Sequence, residues 1–255
     1  MNAPLISIIT VTYNDADGLR DTMRSVASQS ASDYEHLVID GASTDNTPEV
    51  IAAERGEHTR LRSEPDRGIY DAMNKGLADA EGDYVIFLNA GDTFHSTETL
   101  SDIIRVIRDN DMPGVVYGQT DIVDGDDRHR VGERHLRAPE TLTLDSFKQG
   151  MVVCHQAFVA LRRIVSRYNL TYKYSADYEW CLRILQHSRN NVYIPDVLVD
   201  YRRHGASTEH RLSSLWERYR IMCYYYGTFG TTLRHLKFAG RAASRYFKEK
   251  KNNNN

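Results

Sequence analysis

The stretch Pro65 to Asp92, PDRGIYDAMNKGLADAEGDYVIFLNAGD, constrains the fold more than any other part of this chain. Apolar residues at Ile69, Met73, Leu77 and Ala80 recur at helical spacing, and the period stops at Gly82, a residue type that ends helices. Tyr84 to Leu88 follows as an unbroken apolar run. It is too short for a core helix and reads as an interior parallel strand covered on both faces. Asn89, Ala90, Gly91 and Asp92 then stand at its carboxyl end, small and polar, with a single carboxylate. Ligands of open α/β sheets bind in the crevice outside such strand ends, so this turn is the first candidate for a binding site.

The flanking sequence repeats the strand and helix alternation. Leu5 to Tyr13 alternates Ile, Val and Thr as a first strand, and a helix follows whose Leu19, Met23 and Val26 share one face. Tyr34 to Asp40 is a second strand, followed by the turn GASTDN and a helix through Val50 and Ile51. A third strand is expected around Leu61, a helix over Leu100 to Ile107 and a strand over Val115 to Tyr117. Such alternation predicts a doubly wound, mostly parallel sheet.

After Gly118 the pattern changes. Asp121 to Arg134 is charged and irregular, with a strand or hairpin around Ile122 and Val131, and is expected to form a loop-rich acceptor side. Tyr178 to Leu185 reads as helix and Val192 to Tyr201 as extended chain interrupted by Pro195. Ser213 to Tyr226 and Thr231 to Lys248 read as terminal helices separated by a break over Gly227 to Gly230.

The length of 255 residues suits one α/β core, and a formal net charge of −3 provides no whole-chain field to attract nucleic acid. Cys154, Cys181 and Cys223 are odd in number and lack CxxC spacing, which argues against a disulfide framework or a structural zinc and for a reducing, cytoplasmic setting. The amino-terminal residues enter a strand without a leader pattern, and no run reaches bilayer-spanning length, so a soluble or at most peripheral protein is expected.

Five segments in order, SIITVTYNDADGL from Ser7, EHLVIDGASTDNT from Glu35, PDRGIYDAMNKGL from Pro65, EGDYVIFLNAGD from Glu81 and SADYEW from Ser175, resemble the family 2 glycosyltransferases, which are inverting enzymes of GT-A fold. The first half of the chain is covered almost continuously and the second in islands. The resemblance implies an α/β GT-A fold with carboxy-terminal helices. It also implies transfer of a sugar from a nucleoside-diphosphate sugar to a saccharide or polyprenyl-linked acceptor in bacterial polysaccharide or glycolipid assembly. Residues 1–226 would form the glycosyltransferase domain, with 1–118 binding the nucleotide sugar and 119–226 the acceptor. Residues 227–251 would be a basic helix and 252–255 a disordered tail.

The resemblance also assigns roles. Asp40, at the end of the second strand, stands where the family reads its nucleobase; the alternative is an Asp that only caps the GASTDN turn. Thr10, Tyr13 and Asn14 are expected near the base or ribose, although Tyr13 also suits plain core cover. Asp45 reads as a helix cap. Arg67 is expected to pair with a diphosphate oxygen, or else to make a surface ion pair with Glu64 or Asp66. Asn89, Ala90, Gly91 and Asp92 match the family's DxD-type segment with its acidic residues depleted, so Asp92 must carry most of the metal binding. Oxygen ligation points to Mn²⁺ or Mg²⁺.

His204, in YRRHGAST, is the candidate additional metal ligand, and one of Arg202 and Arg203 is expected to face the leaving diphosphate. Asp177 in SADYEW is the expected general base, with Glu179 its competitor, since an acceptor hydroxyl cannot attack without losing its proton to a positioned carboxylate. His155 and Gln156 resemble an acceptor-side loop, or else satisfy buried backbone groups.

From Arg234 to Lys251 seven basic residues stand against Glu249 alone, interleaved with Leu236, Phe238, Tyr246 and Phe247. This pattern suits either a solvated helix or peripheral contact with the inner face of an anionic membrane. The depleted DxD segment keeps one alternative open, a nucleotide-sugar-binding protein without transfer activity. A nucleotidyltransferase or a dinucleotide oxidoreductase is disfavoured, because TVTYNDADGL holds neither a lysine-bearing phosphate loop nor GxGxxG.

Overall fold

The computed structural model describes residues 3–125, 127–203 and 211–236. The elements run β1 (Ile6–Thr12), α1 (Ala16–Ala27), β2 (Tyr34–Asp40), α2 (Thr47–Glu54), β3 (Thr59–Ser63), α3 (Ile69–Asp79), β4 (Tyr84–Phe87), β5 (Thr93–Phe94) and α4 (Thr99–Asp109). They continue as β6 (Val115–Asp124), β7 (His129–Glu133), β8 (Phe158–Leu161), α5 (Ala176–His187), β9 (Asn191–Arg202) and α6 (Arg211–Tyr226), then a helical segment over 228–236.

One sheet takes the order β3-β2-β1-β4-β8-β6-β9-β5, with β7 paired to β6. The first four strands are parallel to one another, as the alternation predicts. β8 then enters antiparallel between β4 and β6. β6 and β9 are again a parallel pair.

Side chains of β4 alternate between the two faces, which is why its whole run is apolar. Val85 and Phe87 join Ile9, Val11, Leu37, Met73, Trp180 and Ile184 on the face covered by α3 and α5. Tyr84, Ile86 and Leu88 join Ile6, Ile8, Leu100, Ile103 and Ile107 on the face covered by α4. Leu19 and Met23 of α1 pack with Val38, Val50 and Ile51.

Polar pairs inside this core define the strand register. Ser7 Oγ donates to Glu35 Oε1 at 2.7 Å, and Thr10 Oγ1 lies 2.9 Å from His36 Nε2, both buried. A slip by one residue would turn each side chain to the opposite face and strand these groups, at about 1–3 kcal/mol per unpaired buried polar atom.

Past Gly118 the regular structure exceeds the expectation of a loop-rich side. β6 extends to Asp124 and forms a hairpin with β7, because its charged residues find partners: Asp121 receives both Nε and the Nη2 atom of Arg130. The break between the terminal helices is Gly227 alone, at φ 82°, and helix resumes at residue 228. His204, Lys237 to Lys251 and the tail 252–255 lie outside the described residues.

Candidate functional site

Parallel pairing aligns the carboxyl ends of β1, β2 and β4, and the candidate residues gather along that edge. Thr12 is in register with Asp40. Asp40 is buried, and its carboxylate accepts Ser43 Oγ at 2.6 Å, Ser63 Oγ at 2.6 Å and the Ser43 N–H at 3.1 Å. The turn is tied back to the β1 loop, where the Asn14 N–H donates to Ser43 Oγ and the Asn14 side chain accepts from the Thr44 N–H, both at 2.8 Å. Asn14 sits at φ 51°, a left-handed position that asparagine tolerates.

Tyr13 is exposed and lies over Gly41 with Asp66 beside it: a Cβ on Gly41 would stand 2.6 Å from Asp66 Oδ2 and 3.2 Å from the Tyr13 ring. Asp40, Tyr13, Asn14 and Asp66 therefore form one wall. In sequence Asp66 reads only as a possible ion-pair partner of Arg67; in the structure it stands at the entrance to α3, where its carboxylate accepts the Gly68 N–H. Thr10 lies deeper, fully buried with its hydroxyl on His36. Asp45 accepts from the Thr47 N–H at 3.0 Å, but the N-cap of α2 is Asn46, so Asp45 stands one residue before the cap position expected of it.

The Asn89–Asp92 turn is built by backbone bonds to neighbouring elements. The Ala90 N–H donates to Val11 O, the Gly91 N–H to Gly18 O, and Thr22 Oγ1 donates to Asp92 O at 2.7 Å. Asp92 is buried, with Arg202 N–H on Oδ1 and Gln156 Nε2 on Oδ2, both at 3.0 Å. Burial pushes its carboxyl up to about 7, against the pull of those two donors and of Arg128. Asn89 Oδ1, three residues earlier, is buried without a hydrogen-bond partner among the described residues. An unsatisfied buried oxygen in the same turn as a buried carboxylate has the donor chemistry of a hard cation site, since such a cation accepts oxygen ligands and favours the charged form.

Gly91, at φ 92°, carries the Arg202 side chain against it: a Cβ there would lie 2.7 Å from Arg202 Cδ. Arg202 Nη1 reaches Asp15 Oδ1 at 3.5 Å, whereas Arg203 is exposed and 4.0 Å from Asp124. Arg202 is thus the inward member of the pair. Arg67 is exposed and paired with Asp71 at 2.9 Å, not with Glu64 or Asp66. Arg128 at the β6–β7 tip went unnoticed in sequence; it donates to Gly91 O and Thr93 Oγ1, each at 2.8 Å.

On the other side of β4, Asp177 occupies the first turn of α5, half-buried, and its Oδ1 accepts Tyr70 O–H at 3.1 Å and the Tyr178 N–H at 2.8 Å. Glu179 is buried and engaged by Arg183 at 2.8 Å and by Tyr225 O–H. His155 and Gln156 are also buried and committed to internal partners rather than to the open side. Tyr168 O–H lies 2.5 Å from His155 Nε2, and Phe87 and Trp180 pack on that imidazole, whose burial lowers its pKa to about 4. Gln156 holds Asp92. Tyr168 stacks on Tyr70, so contacts run from Asp92 through Gln156, His155, Tyr168 and Tyr70 to Asp177.

A second cluster joins His95, Asp121 and Asp200, whose ligand atoms lie within 4.8 Å of one another. Asp121 and Asp200 are register partners on β6 and β9, and His95 Nδ1 is 2.8 Å from Asp200 Oδ1. The chain therefore carries a His/Asp group with the donor types of a divalent-cation site, although Arg130 already neutralises Asp121. It brings together residues from three separate segments, which no local spacing revealed. A cavity of about 250 Å³ lined by Asp83, Met112, Leu161, Arg162 and Arg163 lies at the opposite end of β4 and contains none of the expected site residues.

Residues 7–168 match the family model described as Glycosyl transferase family 2. An uncharacterized glycosyltransferase of Mycobacterium tuberculosis is 32% identical over 95% of this chain and 89% of its own length. A PGL/p-HBAD biosynthesis glycosyltransferase of Mycobacterium bovis is 31% identical over 81% of this chain and 80% of its own. Among solved structures, S. aureus TarS 1-349 in complex with UDP-GlcNAc superposes with a TM-score of 0.70 at 20% identity, covering 85% of this chain and 64% of that one. The mannosyltransferase PcManGT from Pyrobaculum calidifontis, in complex with GDP-Man and Mn²⁺, gives 0.63 at 17%, covering 95% and 76%.

Proposed function

The chain belongs to glycosyl transferase family 2, and on that premise we propose that its reaction runs along one edge of the sheet, from Asp40 past Asp92 to Asp177. The enzyme is a glycosyltransferase that draws its sugar from a nucleoside-diphosphate donor. The observation that carries the finer reading is the run of contacts between Asp92 and Asp177, joined at its middle by the sequence neighbours Gln156 and His155.

In this reading Asp40, Tyr13, Asn14 and Asp66 receive the nucleoside, and Arg202 faces the diphosphate across Gly91, with Arg67 at the rim. Asn89 and Asp92 are the residues that would hold Mn²⁺ or Mg²⁺, which supplies positive charge beside the departing diphosphate. His204 stays a candidate further ligand on sequence grounds alone. Asp177 takes the proton from an acceptor hydroxyl as that oxygen bonds to the anomeric carbon. The carbon–oxygen bond to the diphosphate breaks on the opposite face, and its electron pair leaves with the diphosphate. The anomeric configuration inverts and no covalent enzyme intermediate forms.

Residues 1–118 supply the donor side and 119–226 the acceptor side. The acceptor is a saccharide or lipid-linked saccharide of surface polysaccharide or glycolipid assembly, by analogy with the relative named for PGL/p-HBAD biosynthesis. No described helix is long and apolar enough to cross a membrane. Peripheral contact at the cytoplasmic face is supported by the exposed Leu212, Trp216, Phe229 and Leu236, which lead into the basic carboxy-terminal sequence.

The test is Asp177→Asn. A thermal-shift panel of UDP, GDP, dTDP and their sugars with Mn²⁺ or EDTA identifies the donor, since a ligand that binds only the folded state stabilises it. The variant should keep the donor's stabilisation and lose turnover; retained turnover would assign the base elsewhere.

A further inference from the structure

Tyr70 is the second residue of α3, and its ring stacks on Tyr168 with centroids 5.5 Å apart. Tyr168 stacks in turn on Trp180 at 5.1 Å, so the phenol is held by aromatic packing from two other segments. Packing alone would be served equally by phenylalanine. The hydroxyl is what differs, and it donates to Asp177 Oδ1 at 3.1 Å across 107 residues of sequence. The Tyr178 N–H donates to the same oxygen, and among the described residues Oδ2 receives no hydrogen bond.

We infer that Tyr70 is a positioning residue for proton abstraction: its hydroxyl, with the Tyr178 amide, holds Asp177 Oδ1 and turns Oδ2 toward the acceptor hydroxyl. The inference rests on the reading of Asp177 as the base. A carboxylate with one oxygen tied down loses the rotational freedom that would otherwise spread its two lone-pair edges over many directions.

Tyr70→Phe preserves the stack and removes the donor. Two measurements decide. With UDP-GlcNAc or GDP-mannose as donor and water as acceptor, kcat for nucleotide release should fall by about tenfold, with donor KM unchanged. Without any donor, the ¹³C carboxyl resonance that Asp177→Asn removes should move in Tyr70→Phe, because the hydrogen bond to Oδ1 is lost. An unmoved resonance overturns the inference and leaves the base assignment standing. A moved resonance with full turnover in Asp177→Asn removes the base assignment, and the catalytic meaning of Tyr70 with it.

Discussion

Gln156 Nε2 donates to Asp92 Oδ2 at 3.0 Å, and Gln156 Oε1 accepts from Cys154 Sγ at 3.0 Å, so the amide is oriented from both ends. The carboxylate proposed to hold the cation is therefore aimed by a residue from the other half of the chain. Gln156→Leu keeps most of the volume and removes the donor. Groups that orient a metal ligand are worth about 10–100-fold in metal affinity. Calorimetric titration with Mn²⁺ should show a loss of that size, and wild-type affinity would mean that Asp92 is not the ligand.

Gly91→Ala tests the fit between the turn and Arg202. A Cβ at φ 92° is strained, and here it meets Arg202 Cδ at 2.7 Å. The two effects should cost about 1–3 kcal/mol together, a fall in Tm of about 2–8 °C. Arg202→Ala removes the colliding atom, so the double variant should recover part of the loss beyond additivity. Additive melting temperatures would place the cost in backbone strain alone.

How far the sequence could be read follows from where each residue finds its partner. β4 and its turn were legible because an apolar run and a small polar corner are local signals. Asp40, Asp92 and Asp177 were legible as candidates because each stands in a motif only a few residues long. A hairpin around Ile122 and Val131 is legible, but its extent within a side expected to be loop-rich is not, because the charge of Asp121 is compensated only once Arg130 folds across from it. β8 is four residues long and was not anticipated, since its strand identity depends on slotting between β4 and β6. His155 and Gln156 read either as polar groups facing an acceptor or as partners of buried backbone, and nothing local shows that their partners are Tyr168 and Asp92, the latter 64 residues from Gln156. The His95, Asp121 and Asp200 group has the same origin.

His36 supplies a pH prediction independent of the site. It is buried against Thr10, and burial lowers its pKa from 6.5 to about 4. Between those values the unfolded chain binds a proton that the folded chain does not, so stability is present above the upper value and is lost as pH falls toward the lower one. The contribution is about 2 kcal/mol between about pH 7.5 and pH 5. His155 shifts in the same direction and adds a similar slope. Urea unfolding at the two pH values should show His36→Gln losing less stability on acidification than the unsubstituted protein. Equal losses would mean that His36 is protonated in the fold.

The carboxy-terminal helices make the remaining prediction. Leu212, Trp216 and Leu236 are 83%, 62% and 65% exposed, an unusual cost for apolar side chains that water must cover. Tyr219 O–H and Thr232 Oγ1 lie 2.8 Å apart, joining α6 to the helix over 228–236, so these residues belong to one supported surface rather than to a loose end. Immediately beyond come Lys237, Arg241, Arg245, Lys248, Lys250 and Lys251. An anionic bilayer offers both a home for the apolar side chains and charges for the basic ones, at about 1 kcal/mol per Lys or Arg near the surface. The protein should sediment with phosphatidylglycerol-containing vesicles and not with pure phosphatidylcholine. Binding should weaken with salt, and by roughly 100-fold when Lys248, Lys250 and Lys251 are all changed to Gln. Trp216→Ser should weaken the salt-resistant part. Equal recovery on neutral and anionic vesicles, or on neither, would remove the membrane from the proposed function while leaving the sheet-edge site untouched.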